Sequence, residues 1–162
     1  MDVETLAQTL IAPKGVTRII AMNVAFIASD HFVIGKGAVN ISFIAKNFEQ
    51  WFLEKKEEPS QESILRYGDL TQRCVDPQIL EQLNGGEAAR VSLAEFHYLL
   101  QNPGTLYLDG RMNIFFALDM NGILRTLGAY QSKGGWCLCA TGSDSRSDRR
   151  PIGCRIFSRL SL

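Results

Sequence analysis

The chain has no long hydrophobic run, no surplus of either charge and almost no histidine. Its most apolar segment, residues 19–34, is interrupted by Asn23, Asp30 and His31. It is too short and too polar for a bilayer-spanning helix, so no membrane role is expected. Seventeen Lys and Arg balance seventeen Asp and Glu, so no global field draws the molecule to nucleic acid. The only histidines are His31 and His97, and the cysteines Cys74, Cys137, Cys139 and Cys154 include no Cys-x-x-Cys pair. A tetrahedral thiolate–imidazole centre needs about four converging ligands, so no metal and no cofactor are expected. Asp2 and Glu4 stand where a signal or transit peptide carries basic residues. Reduced thiols and a cytoplasmic location follow as the expectation.

Phosphate-binding signatures are missing too. Gly35-Lys36-Gly37 precedes a helical pattern, but Asn40 stands where a third glycine would complete a Gly-x-Gly-x-x-Gly fingerprint. Asp119-Met120-Asn121-Gly122 opens like a calcium loop without its downstream glutamate, and reads as a hairpin turn. No internal repeat appears at any period.

What is present fits one domain spanning residues 1–162, with 46% apolar and 21% charged residues, enough for a core without covalent staples. Helical spacing marks residues 2–12 and 41–57, the latter with Phe43, Ile44, Phe48, Trp51 and Phe52 on one stripe. Residues 16–29 are nearly continuously apolar. Alanines favour helix there, although a central strand fits almost as well. Residues 61–74 read as helical or turn-rich. Asp76-Pro77 places a capping carboxylate before a first-turn proline, and Asn84-Gly85-Gly86 stops that helix. Ser92 and Glu95 form a capping-box pattern, and Asn102-Pro103-Gly104 ends the helix they open.

From residue 105 the chain reads as strands. Residues 105–108 are a first strand, and residues 113–160 hold four strand-length apolar runs separated by turn residues, the pattern of a meander. The fold class expected is α+β: residues 1–102 as a layer of short helices, packed on one face of a four- to five-stranded antiparallel meander in residues 103–162. The charge divides along that line. Residues 1–102 carry nine Lys/Arg against thirteen Asp/Glu, and residues 103–162 carry eight against four. An acidic layer lying on a basic layer explains this better than a basic binding face.

Four chemistries can be composed. Cys137, Cys139 and Cys154 would share a neighbourhood if the last two strands paired, but they read as packing residues. Cys74 with His31 or His97 and an aspartate could make a nucleophilic triad, with no local signature to support it. Arg125, Arg155, Phe157 and Arg159 could form a basic, aromatic sheet face for single-stranded nucleic acid, a reading that zero net charge counts against. Finally Phe48, Trp51, Phe52, Phe116 and Trp136 could line an apolar pocket between sheet and helices. The leading expectation is a non-catalytic binding or protein-interaction module, self-associating as a homodimer through open sheet edges. The alternative is a domain that binds a small apolar ligand in that pocket, or an enzyme using it. No family resemblance is visible.

Overall fold

The computed structural model describes residues 9–159. Eleven strands and five helices alternate along them: β1 (Ile11–Ile19), β2 (Phe26–Ile27), α1 (Ala28–His31), β3 (Ile41–Ile44), α2 (Lys46–Phe52), β4 (Lys56–Glu57), β5 (Ser63–Leu70), β6 (Cys74–Val75), α3 (Asp76–Gln82), α4 (Gly86–Ala89), α5 (Leu93–Gln101), β7 (Asn113–Leu118), β8 (Leu124–Ser132), β9 (Gly135–Gly142), β10 (Arg149–Arg150) and β11 (Arg155–Arg159). Seven strands form one mixed sheet in the order β1-β5-β11-β7-β8-β9-β3. The pairs β11–β7 and β9–β3 are parallel and the rest antiparallel.

This overturns the expected helical layer on a four- or five-stranded antiparallel meander. Only β7-β8-β9 run as a meander. Three of the seven strands come from the half of the chain read as helical, and helices cover both faces of the sheet rather than one. Residues 61–74, read as helical or turn-rich, contain β5, which pairs with β1 on one side and β11 on the other. Residues 16–29 hold the end of β1, then β2 and the start of α1, rather than a buried helix. Residues 105–108 form no strand, since a 3-10 turn at Pro103–Thr105 leads into coil. The helix expected over residues 2–12 falls largely outside the described residues, and Ile11 and Ala12 belong to β1.

Side-chain alternation gives the sheet two apolar faces. On the first, Leu65, Phe115, Leu127, Leu138 and Phe157 pack under Phe48 and Phe52 of α2 and Leu93, Phe96 and Leu99 of α5. Its centre is a run of rings: Phe96 meets Phe115 edge-on at 4.8 Å, and Phe115 stacks on Phe157 at 4.6 Å. On the second face, Leu70, Ile114, Phe116 and Ile156 pack under Ile79 of α3 and Ala89 of α4. Strands buried on both sides read as unbroken apolar runs. Asn-Ile-Phe-Phe-Ala-Leu in β7 is one, buried at five of its six positions. No helix among the described residues is long and apolar enough to cross a membrane.

The two parts of the chain are tied by ion pairs. Asp69 of β5 accepts from Arg155 of β11 at 2.9 Å, Asp76 of α3 from Arg150 of β10 at 2.8 Å, and Glu95 of α5 from Arg159 of β11 at 2.6 Å. Each joins an acid of residues 1–102 to an arginine of residues 103–162. The uneven charge along the sequence is thereby matched in space.

Candidate functional site

Where β1, β5 and β11 lie side by side, α3 covers only part of the second face. The uncovered part is a cleft of about 370 Å³, walled by Ile11, Val16, Gly68, Leu83, Ile156 and Ser158, with Arg66 among them. Backbone geometry makes the room. Gly68 stands opposite Pro13, and a Cβ there would lie 2.6 Å from the Ala12 carbonyl oxygen and the Ile11 side chain. Lys14 is an extra residue between paired Pro13 and Gly15, a bulge that bends the edge strand. Gly15 in turn gives way to the Tyr67 ring, which a Cβ would meet at 2.8 Å.

Among the described residues, Arg66 is the only charged side chain on this wall. Its Nε donates to Ser158 Oγ at 3.0 Å, and no carboxylate lies within ion-pair distance among the described residues. Across the sheet, Arg155 is fully engaged: it donates to Asp69 and to the Thr105 carbonyl oxygen at 2.9 Å, and stacks over the rings of Tyr107 and Tyr67. Asp69 also accepts from the Tyr107 hydroxyl. Burial opposes the charge of Asp69, but the bonds from Arg155 and Tyr107 outweigh it and hold the carboxyl below the usual range.

No family model, curated protein or solved structure matches the chain. The reading of the site therefore rests on its own chemistry.

The residues singled out from the sequence are distributed as follows. Phe48, Phe52 and Trp136 are buried in the first core, with Trp51 packed against it, whereas Phe116 lies in the second. The five are thus divided between the two faces, and none borders the cleft. Arg155, Phe157 and Arg159 do share a strand face. Phe157, however, is fully buried between Tyr67 and Phe115. Arg155 and Arg159 are held by Asp69 and Glu95, and Arg125 lies 3.8 Å over the Trp51 ring while donating to Asp119.

The cysteines and histidines separate in the same way. β9 and β11 do not pair, so Cys154 is three strands away from Cys137 and Cys139. Burial pushes the Cys154 thiol up to about 11 and also raises Cys74 and Cys139, which makes them poor nucleophiles. Burial works the same way on Cys137, but hydrogen bonds with Ser42, Ser132 and Tyr130 lower it. His31 and His97 do come together, with ring centroids 4.8 Å apart. Burial, reinforced by the neighbouring His31, brings His97 down to about 4. Cys74 sits in the other core, so the three do not assemble a triad.

Reading by sequence pattern missed Arg66, Gly68 and Ser158. The available signal was Ser-Ile-Leu-Arg-Tyr-Gly-Asp-Leu itself: a β-branched residue, an aromatic and a glycine inside a strand mark close backbone approach.

Proposed function

We propose that the protein is a non-catalytic binding domain whose ligand is a small amphiphile with an anionic head, held in the cleft between β1, β5, β11 and α3. The observation that carries this reading is Arg66: a guanidinium on a largely apolar wall that is otherwise uncharged among the described residues, bonded to one neutral hydroxyl. Concave, mostly apolar sites with few polar groups are the usual form of small-molecule sites. A guanidinium with donors to spare matches a carboxylate bidentately. The body of the ligand would lie along Ile11, Val16, Leu83 and Ile156, with the head at Arg66 and Ser158.

Titration of the full chain with a medium-chain fatty carboxylate and the alcohol of equal length tests it. The carboxylate is expected to bind more tightly. Arg66→Met should weaken it by at least about 10-fold, the equivalent of one charge-assisted hydrogen bond, while leaving the alcohol unchanged. Equal affinity of carboxylate and alcohol for the unmodified chain, or no binding of either, overturns the reading.

Self-association is the second reading, favoured by the opposite end of the sheet. There β3 is an edge strand, and Phe43 on it and Ile34, bridged to Ile41, expose 53% and 54% of their surface, which suits a second copy or another protein. Sedimentation of the same samples across a concentration range separates a dimer from a monomer. The cysteines are free thiols, which supports a reducing, cytoplasmic setting.

A further inference from the structure

The two histidines of the chain meet beside a second, smaller cleft. It measures about 140 Å³ and is lined by Met22, Phe26, His31, Ala94, His97 and Gln101, among others. Three separate elements bring the heteroatoms there. His97 is carried by α5, and His31 closes α1. Met22 is held by a pair of backbone hydrogen bonds with Ser60, at 2.8 and 3.0 Å. His31 stacks flat on Phe26 at 4.5 Å, and Phe26 and Phe32 both contact His97, which limits how either imidazole can turn.

His97 exposes only 4% of its surface. Neither imidazole has a hydrogen-bond partner among the described residues, and neither has a ring nitrogen sealed from solvent, so the nitrogens are open to whatever enters the cleft. The ring spacing fits one ion between them. With metal–nitrogen bonds of about 2 Å, two imidazoles on a common ion stand roughly 5 Å apart between centroids, and His31 and His97 are 4.8 Å apart.

We propose that His31, His97 and Met22 form a binding site for a single monovalent copper ion. The donor set decides the metal. Two imidazoles with a thioether are soft ligands, which favour Cu(I) over Mg, Ca or Mn. No carboxylate or thiolate of the described residues lines the cleft, so a divalent ion would bring two uncompensated charges into apolar surroundings, which is more costly than one. Gln101 at the rim supplies a neutral oxygen and no charge.

The full chain, titrated anaerobically with Cu(I) while the two imidazole ring systems are followed by long-range proton–nitrogen correlation, tests the site. With only two histidines, every imidazole signal is assignable. One equivalent of Cu(I) is expected to move both ring systems together. Met22→Leu should weaken Cu(I) binding at least tenfold without unfolding the protein, since the replacement is close in size and apolar. His31→Gln should abolish the shift at His97. The proposal is overturned if one equivalent leaves both imidazoles unmoved because the cysteines take the ion. It is likewise overturned if Met22→Leu binds as tightly as the unmodified chain.

Discussion

Asp119 sits at the tight turn between β7 and β8 with its side chain out of solvent. Its two oxygens accept from the Asn121 N–H at 2.8 Å, the Ile123 N–H at 3.0 Å and Arg125 Nε at 2.9 Å. Burial resists the charge, but these donors hold the carboxyl below its ordinary value of 3.8. A depressed carboxylate contributes stability above its unfolded pKa and loses it as pH falls through the folded one. Asp119→Asn keeps the shape and removes the charge. It is expected to lose about 1–3 kcal/mol at pH 7, and the gap from the unmodified chain should narrow below about pH 4. Urea unfolding at pH 7 and at pH 3 measures both; an equal gap at the two values would show the charge to be irrelevant. The residue was legible as part of a hairpin turn, with Gly122 supplying the positive φ of 78°. Its role as an acceptor for Arg125 was not, because that depends on register between strands.

Elements whose signals are local were the readable ones. α5 starts where the Ser92–Glu95 capping box places it, with Glu95 N–H donating to Ser92 Oγ at 3.0 Å. α3 begins near Asp76-Pro77, yet the Asp76 carboxylate turns to Arg150 and Thr126 instead of capping, and Gln78 accepts from the Val75 N–H. β5 was missed because each of its faces mixes apolar with polar residues (Ile64, Arg66, Gly68 and Leu70 on one, Ser63, Leu65, Tyr67 and Asp69 on the other), so no apolar–polar alternation survives. Its charged residues are accommodated by partners distant in sequence: Ser158 for Arg66, and Arg155 for Asp69. The tightest constraint on this strand is Gly68. A methyl group there has to displace the β1 backbone at Ala12, so Gly68→Ala is expected to destabilise the fold by about 1–3 kcal/mol. Hydrogen exchange should show the loss concentrated in β1. Gly104→Ala, with nothing within 4 Å of the new carbon, is the control that should change little.

On the scale of the whole molecule, the sequence order and the spatial order of the sheet disagree. β5 and β11 are neighbours although the rest of the second sequence half lies between them, and β3 pairs with β9 across a similar gap. Pairings of that kind leave no local trace, which is why the layer of helices was expected in place of strands. The charge distribution did carry the information in another form. Acids of the first part and arginines of the last were present in complementary surplus because they meet in Asp69–Arg155, Asp76–Arg150 and Glu95–Arg159. The Asp76 pair is the most enclosed. Asp76 exposes 2% of its surface, Arg150 donates to both of its oxygens at 2.8 Å, and Thr126 and Thr141 complete the network at 2.7 Å. Removing one member strands the other without a counter-charge, so Asp76→Leu alone or Arg150→Met alone is expected to cost about 3–5 kcal/mol. Replacing both at once, as Asp76→Leu with Arg150→Met, removes the desolvation cost as well as the attraction. It should therefore lose less than either single change. A double-mutant cycle by urea unfolding gives the coupling; single and double losses that simply add would mean the two groups do not act as a pair, and that the match of charge between the two parts of the chain has little to do with holding the sheet in its order.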